Sequence, residues 1–431
     1  LQVMFSQCKK LVERLQKRGA VVGSSLNTAY LLERLSQTLE RLETLMAIFV
    51  SNRYLPRRIL LLTGCFACAA AEKHSITRLW KQSSGLMARS VTQNAGDHGE
   101  HYITRDKKEY WAMFYSAAGG GVLIALMALF KTYLGSIIDD KVWKGIAEGL
   151  NYGLGFMVIF MLHFTVATKQ PAMTAARFAE AVEKTPQGKT VNMKLAQLLV
   201  DVFRSQSIAV LGNVLIAMGL AALIAFGYQY KTGEPLMNSE NIAYQLHRID
   251  PLDGSLWFAA IAGVWLFCSG IISGYFDNRS NYLNMRMRLT QHPLLKKLMS
   301  EKTRVKFANY MHENYGSLIG NFCFGMLLGI TGVVGYLTHL PLDIRHVAFS
   351  SANVGYIAVS GHFTYSLLLQ CIAFVLLIGL VNLMVSFSLT LWVALRSLNT
   401  EIDSWWAIWH EVCQIVRKRP LSLFLPVQLD K

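Results

Sequence analysis

The sequence predicts an all-α integral membrane protein with six transmembrane helices in three hairpin repeats, a re-entrant segment and an N-terminal cytoplasmic helical domain. Three observations support this prediction. Hydrophobic residues make up 53% of the chain and charged residues only 16%, whereas soluble domains carry about 25% charged residues. One apolar stretch recurs along the chain, and the basic residues are distributed unevenly between the segments that join the apolar stretches.

Six apolar stretches are long enough to cross the roughly 30 Å of bilayer hydrocarbon. Each must be helical there, because every backbone group in lipid needs an internal partner. The predicted spans are residues 112–130, 146–168, 207–228, 254–276, 317–340 and 366–392. They divide the chain into a cytoplasmic helical domain (1–110), a six-span transmembrane domain (111–392) and an amphipathic interfacial helix with a cytoplasmic tail (393–431).

The repeat is clearest between spans three and five. Residues 212–228 read GNVLIAMGLAALIAFGY and residues 320–336 read GNFCFGMLLGITGVVGY. A third copy begins at Gly120 with GGVLIALMAL. Each copy is followed by a turn and a second apolar stretch, which predicts three hairpins that superpose. Since small residues let helices approach closely in lipid, spans one, three and five should line the centre.

The net charge of +15 raises the question of nucleic acid, but the charge distribution favours a membrane. Of 42 basic residues, 36 lie before span one, between spans two and three, between spans four and five, or after span six. This positive-inside pattern predicts a multi-pass protein of the inner (cytoplasmic) membrane with both termini in the cytoplasm and lipids as partners. Nucleic acid is an unlikely partner on this distribution.

The segment before span one reads as a helical domain with leucines at helical spacing, and it could bind a cytoplasmic protein partner through residues 1–110. Because the chain starts at Leu1 within a helical pattern, we expect an N-terminal region to precede it. Cys65 and Cys68 form a lone CxxC, which favours packing, since zinc sites usually use a second pair. His98 and His101 are weak metal candidates near a hinge where Thr104 is predicted to cap the next helix. No cofactor is predicted.

Glu148 is the only charged residue inside the predicted spans, and an intramembrane carboxylate is a functional candidate. We expect Glu148 to face the protein interior near Asn151, Asn213 or Asn321. The alternative is that span two begins later and Glu148 lies at the membrane interface.

Residues 347–361 are apolar but too short to cross the membrane, which predicts a re-entrant or interfacial segment. Its N-terminus near Ser350 and Ser351 would carry backbone donors and a partial positive charge. With Arg345 and His346 it would form an anion or substrate site, with Asp343 holding Arg345 in place. The alternative is that Arg345 pairs with Asp343 and only anchors the loop.

Two polar clusters lie where helices leave the predicted cytoplasmic face. They are candidates for a cytoplasmic mouth that contacts substrate, partner or lipid headgroups. The residues concerned are Lys169, Gln170, Asp277, Arg279 and Asn281.

Five motifs resemble a bacterial polytopic membrane-protein family catalogued as "site-specific recombinase". They are GEHYIT (99–104), AAGGG (117–121), KQPAMTAA (169–176), DNRSNY (277–282) and PLDIRHVAFSS (341–351). The family description implies a DNA recombination protein. None of the 11 histidines is followed by Arg three positions later, however, as tyrosine recombinases require. A serine nucleophile at Ser350 or Ser351 would lie on the outer side of the membrane in the predicted topology.

Three functions therefore stand as hypotheses. The first is a transporter-like or lipid- or anion-handling membrane protein, favoured by the repeat, Glu148 and the short re-entrant segment. The second is a non-catalytic scaffold that binds a cytoplasmic partner. The third is a membrane-tethered DNA recombination protein, as the family description says. No catalytic residue is assigned.

Overall fold

The structure is a computed structural model. It describes residues 2–22, 26–50, 55–72, 103–104, 106–167, 174–175, 178–179, 181–182, 189–398, 402 and 404–426. All regular elements in these ranges are helical. The α-helices are α1 (Gln2–Val22), α2 (Leu26–Val50), α3 (Leu55–Glu72), α4 (Lys107–Ile137), α5 (Lys141–Met161), α6 (Lys189–Thr232), α7 (Ser239–Ile249), α8 (Ser255–Tyr282), α9 (Met285–Gln291), α10 (Pro293–Leu298), α11 (Glu301–Thr338), α12 (Val347–Ser360), α13 (Tyr365–Leu398) and α14 (Trp405–Lys418).

Five helices of the described part are long and apolar enough to cross a membrane: α4, α6, α8, α11 and α13. They correspond to predicted spans one, three, four, five and six. The second predicted span, 146–168, corresponds to α5, which has 21 residues and ends at Met161. The chain turns there because His163 adopts a left-handed conformation with φ of 58°, and Thr165 then returns to α4 by donating its backbone N–H to the Ser116 carbonyl at 3.1 Å.

The chain forms two compact units. The first comprises Leu1–Asn94, Gly274–Tyr315 and Arg396–Asn399, and the second comprises Ala95–Ser273, Gly316–Leu395 and Thr400–Lys431. In the first unit, an ion pair between Lys9 and Glu43 links α1 to α2. The Ser280 hydroxyl of α8 donates to the His312 carbonyl of α11 at 3.1 Å.

The second unit contains an apolar core to which α4, α5, α6, α8, α11 and α12 contribute. Its largest fully buried side chains include Tyr152, Phe156, Phe324 and Tyr356. The Tyr356 hydroxyl donates to the Ala125 carbonyl of α4 at 2.9 Å, which satisfies the one polar atom of that side chain inside the core.

Burial differs between the candidate spans. The most apolar windows of α4, α6 and α11 are 44%, 50% and 56% buried, against 33% for α8 and 28% for α13. The three more buried helices are those that were expected nearer the centre because of their small residues.

The short helix α12 has 14 residues, so it is too short to cross a membrane, as the sequence predicts. Eleven of these residues are buried, including Ser350 and Ser351. Its surroundings are supplied largely by α6, and a Cβ on Gly355 would overlap the Met218 carbonyl of that helix.

The predicted cap of α4 was wrong by two residues. Asp106, not Thr104, is the N-cap, and its carboxylate accepts the Glu109 backbone N–H at 2.7 Å. Thr104 instead attaches the segment before α4 to α6. Its backbone N–H donates to the Ser205 hydroxyl at 2.8 Å, and its carbonyl accepts from Arg204 at 2.6 Å.

Candidate functional site

Asn213 of α6 holds the segment after α5 against α4. Its Oδ1 accepts the Ala167 backbone N–H at 2.8 Å, and its Nδ2 donates to the Thr165 carbonyl at 2.9 Å and the Ala117 carbonyl at 2.5 Å. The side chain is 1% exposed. These bonds define the Asn213 motif, which satisfies two backbone groups that the end of α5 leaves without helical partners, the Ala167 N–H and the Thr165 carbonyl, and adds a bond to the Ala117 carbonyl within α4.

Asn382 of α13 forms the same pattern after α11. Its Oδ1 accepts the Val347 backbone N–H at 3.1 Å, and its Nδ2 donates to the Arg345 carbonyl at 3.0 Å and the Ala259 carbonyl at 2.7 Å. Arg345 also donates its backbone N–H to the Phe258 carbonyl at 3.2 Å, just as Thr165 donates to Ser116. In the Asn382 motif, α8, α11 and α13 therefore take the places of α4, α5 and α6.

In each motif, a glycine of the neighbouring helix lies close to the backbone of the motif asparagine. A Cβ on Gly121 would lie 2.9 Å from the Asn213 carbonyl oxygen, and a Cβ on Gly263 would lie 3.0 Å from the Asn382 carbonyl oxygen. Gly121 follows the acceptor Ala117 by four positions, and Gly263 follows Ala259 by the same number. Both helix pairs therefore cross at matching points.

The two central helices of these motifs, α5 and α11, cross each other at glycines. A Cβ on Gly329 would overlap the backbone of Gly149, and a Cβ on Gly325 would overlap the backbone of Gly153. The residue numbers run in opposite directions along the two helices, so α5 and α11 are antiparallel. The groups α4–α5–α6 and α8–α11–α13 have matching hydrogen bonds, and they contact each other through central helices that run in opposite directions.

This correspondence differs from the repeat expected from the sequence, which aligned Asn213 with Asn321. Asn321 is 4% exposed and its Nδ2 donates to the Ser317 carbonyl of its own helix at 2.8 Å. The hydrogen-bonding counterpart of Asn213 is Asn382. The three-hairpin repeat stays a prediction.

A cluster of five charged side chains lies near the ends of these helices, and we call it the charged cluster. Its members are Lys131, Glu148, Arg248, Asp343 and Arg345. Lys131 of α4 and Glu148 of α5 form an ion pair at 3.2 Å, with side chains 23% and 14% exposed. The Lys131 ammonium also lies 5.5 Å from the ring centroid of Tyr152.

The second part of the cluster places one carboxylate between two guanidinium groups. Asp343 lies 2.6 Å from Arg345 and 3.5 Å from Arg248. Arg345 also donates to the Arg248 carbonyl at 2.7 Å and the Ile344 carbonyl at 2.8 Å. Both alternatives drawn from the sequence expected Asp343 to pair with Arg345, and these bonds attach the loop before α12 to α7.

Charge–charge interactions link the Lys131–Glu148 pair to the group formed by Arg248, Asp343 and Arg345. Burial alone would lower the pKa of Arg248, but Asp343 and Tyr244, with smaller contributions from Tyr152 and Glu148, raise this pKa above its usual value. Arg248 is therefore within electrostatic range of Glu148 as well as Asp343. Burial would likewise raise the pKa of Asp343, but the two arginines lower it to about 2, so its carboxylate is charged at neutral pH.

His346 lies in an aromatic cage. Its ring centroid is 6.1 Å from Phe156, 5.7 Å from Phe324 and 5.8 Å from Phe349. Burial lowers the pKa of His346 to about 3. The imidazole is therefore neutral at physiological pH and adds no charge to the neighbouring cluster.

Acid should weaken the fold through His346. An unfolded histidine has a pKa of about 6.5, so the unfolded state binds a proton that the folded state rejects as the pH falls below 6.5. The free energy of unfolding should drop by about 2 kcal/mol between pH 7 and pH 5 from this residue alone. In His346→Val, which copies Val166 at the equivalent position of the Asn213 motif, that part of the slope should vanish. Denaturation midpoints at several pH values test this, and an unchanged slope would contradict it.

The other predicted site residues have varied positions. Ser350 and Ser351 lie in the first turns of α12, and the Ser351 hydroxyl donates to the Ala348 carbonyl at 2.7 Å. Three residues belong to the first compact unit, whereas the charged cluster belongs to the second: Asp277, Arg279 and Asn281. Four lie outside the described residues: His98, His101, Lys169 and Gln170. Among the described residues, no group of three or more His, Cys, Asp or Glu could hold a metal ion.

The sequence analysis missed Lys131, Arg248 and Asn382. Lys131 follows Phe130, the last residue of the first predicted span, so a boundary one residue later would have paired it with Glu148. Asn382 is a polar residue within the sixth predicted span and could have been noticed as such. Arg248 carries no sequence signal, because its contacts come from loops distant along the chain.

Comparison with known proteins gives a family and no closer relative. Neither the curated proteins nor the solved structures give a match. The family model described as "Site-specific recombinase" matches residues 1–426. The chain, whose described residues include five helices able to cross a membrane, therefore belongs to the site-specific recombinase family.

Proposed function

We propose that this protein is a transporter-like membrane protein that handles an anion or a lipid. It has six spans, with α5 as the second, arranged as two inverted repeats of three. The observation that carries the proposal is the pair of matching asparagine motifs on helix groups α4–α5–α6 and α8–α11–α13. The antiparallel crossing of α5 and α11 supports it, because three spans in one repeat reverse the direction of the next.

Inverted repeats of this kind are typical of secondary transporters. Their binding sites lie at the repeat interface, next to helices that are interrupted within the membrane. The breaks at Thr165 and Arg345 would be such interruptions. In an inverted arrangement they would lie nearer opposite faces of the membrane, so that each repeat could gate access from its own side.

Topology follows from the basic residues. With both termini in the cytoplasm of a bacterial inner membrane, the α4–α5, α6–α8 and α11–α13 connections face outward. The charged cluster then lies toward the outer face. Membrane lipids are proposed partners, and residues 1–110 are a proposed surface for a cytoplasmic protein.

Cysteine labelling in whole cells tests the inverted arrangement. The seven native cysteines would be replaced by serine, and one cysteine introduced at Leu162 or at Leu340, which are 51% and 55% exposed. A membrane-impermeant maleimide added outside should label Leu340→Cys in intact cells, and Leu162→Cys only after the cells are opened. Labelling of both from the same side would contradict the proposal.

Transport itself is tested with purified protein in liposomes. Uptake of radioactive phosphate and movement of a fluorescent anionic lipid between leaflets are the two readouts, with protein-free liposomes as the control. The family description favours one other function, DNA recombination. Saturable, salt-dependent DNA binding by the same preparation, with neither phosphate uptake nor lipid movement, would support that function instead.

A further inference from the structure

We propose that Lys131 and Arg248 form a binding site for a phosphate oxyanion, with Arg345 as a positioning residue. This inference rests on the proposed function, since it names the ligand class of the same membrane site. The first support is charge. The charged cluster contains three cationic groups and two carboxylates, so it carries one positive charge in excess.

Burying charge in this way is costly, because each ion loses its hydration. Three of the five side chains are no more than 15% exposed: Glu148, Arg248 and Arg345. Asp343 is 35% exposed and Lys131 is 23% exposed, so part of the cluster is accessible. An oxyanion entering there would neutralise the excess charge and replace the lost water.

The Asn213 motif shows that the helix break and the helix crossing do not depend on Arg345 and Glu148. The Asn213 motif makes the same backbone bonds with Thr165 where the Asn382 motif has Arg345. Likewise Gly329 packs on Gly149, and the residue before Gly329 is Leu328 where Gly149 is preceded by Glu148. The helix break and the helix crossing therefore form without an arginine or a carboxylate at these positions, so neither feature requires Arg345 or Glu148.

Arg345 and Arg248 differ in the length of their hydrogen bonds. Arg345 directs its Nε to the Arg248 carbonyl and its Nη1 to Asp343 and the Ile344 carbonyl. It is 8% exposed, so it holds α7 in place rather than reaching for a ligand. Arg248 makes longer contacts, 3.2 Å to the Tyr244 hydroxyl and 3.4 Å to the Ile344 carbonyl. A guanidinium with weak contacts can turn toward a better acceptor.

A phosphate suits these two groups. An ammonium offers three donors and a guanidinium offers a planar fork, and both bind phosphate oxygens with charge-assisted hydrogen bonds. A phosphodiester carries one negative charge, which equals the excess of the cluster. Lys131 lies in the last quarter of α4 (Lys107–Ile137), near the depth of headgroups if α4 spans the bilayer. The phosphate could belong to a phospholipid headgroup or be free in solution.

Binding to the full-length protein in a neutral maltoside detergent tests the site. The probes are dioctanoyl phosphatidylglycerol, dioctanoylglycerol, which has the same chains but no phosphate, and inorganic phosphate. Saturable binding of the phosphatidylglycerol alone identifies a lipid headgroup, whereas saturable binding of inorganic phosphate identifies a free anion. Either result supports the site. Binding of dioctanoylglycerol as tight as that of the phosphatidylglycerol, or no saturable binding of either phosphate probe, overturns it.

Three variants assign the residues. Arg248→Gln should weaken phosphate binding about tenfold, the loss of one charged hydrogen-bond donor. Glu148→Gln should strengthen it about threefold or more, because Lys131 loses its competing carboxylate. The control is Arg417→Gln: Arg417 is exposed on α14 and follows Asn382 by 35 positions, as Arg248 follows Asn213.

A purely structural role for the cluster predicts a different pattern. Glu148→Gln and Arg248→Gln would then both weaken binding, and this result overturns the proposal, as does an Arg248→Gln affinity equal to that of Arg417→Gln. If Arg248→Gln does not fold, the double variant Lys131→Gln/Glu148→Gln replaces it, since it removes an ion pair without leaving a lone charge. The cysteine labelling result is independent of ligand, so failure of this site and failure of the proposed topology are distinguishable.

Discussion

Gly329→Ala is expected to disrupt the crossing of α5 and α11 and to lower stability by about 3 kcal/mol, within the range seen when a packed interior is overfilled. The added methyl group would overlap the backbone of Gly149, and it would also lie 2.7 Å from the Gly145 carbonyl oxygen. A backbone cannot move aside as a flexible side chain can. The helices would have to separate along their length, and close packing is the main source of helix association in lipid.

The same helix supplies the control. A Cβ on Gly332, three positions later, would meet nothing within 4 Å, so Gly332→Ala should keep the wild-type melting temperature or raise it slightly through better helix propensity. Gly149→Ala should lie between the two, since its Cβ would be 3.4 Å from Met326. The measurement is the melting temperature of the detergent-solubilised protein. Equal values for Gly329→Ala and Gly332→Ala would show that the crossing is not as close as described.

The membrane class could be read from the sequence because it depends on composition and apolar run length alone. Five of the six predicted spans have a matching helix able to cross a membrane, and the short α12 was expected from the length of its apolar run. The second predicted span begins five residues after the start of α5 and ends seven residues after its last residue, since hydropathy does not register the turn at His163. The side chains there stay apolar while the backbone leaves the helix.

The correspondence between the asparagine motifs could not be predicted in the same way. Its bonds run between one amide side chain and backbone groups, and backbone groups are the same for every residue type. The two motifs therefore need few identical side chains, and the position that Thr165 occupies in the Asn213 motif is occupied by Arg345 in the Asn382 motif. The hairpin repeat predicted from Gly120, Gly212 and Gly320 rests on small residues, which are common where helices pack closely in lipid, and it stays a prediction.

Three of the five members of the charged cluster were singled out from the sequence, and the other two were not. Glu148, Asp343 and Arg345 stood out because charge is rare in apolar surroundings, and the bond between Asp343 and Arg345 was expected. The partner of Glu148 was expected to be an asparagine and is Lys131. Arg248 enters from a different connection, and only tertiary structure brings it beside Asp343.

Replacing either motif asparagine with leucine is expected to cost about 3 kcal/mol or more, and the two losses should be similar. Asn382→Leu keeps the branched shape of the side chain but leaves the Val347 N–H and the Arg345 carbonyl without their partner, and it removes an additional bond to the Ala259 carbonyl within α8. Each unsatisfied buried group costs roughly 1–3 kcal/mol. Asn213→Leu likewise leaves the Ala167 N–H and the Thr165 carbonyl without their partner and removes an additional bond to the Ala117 carbonyl within α4.

Asn321→Leu is the matched control. Asn321 is also buried in a candidate span, but its amide donates to a carbonyl of its own helix, which already accepts within the helix. Its loss should cost below about 1 kcal/mol. The three variants would be compared by melting temperature and by protease digestion of the loops at Leu162 and Leu340. Two results would contradict this prediction: Asn321→Leu lowers the melting temperature as much as Asn382→Leu, or Asn213→Leu leaves it unchanged. In either case the two asparagine motifs do not stabilise the fold equally, and the inverted repeat loses its main support.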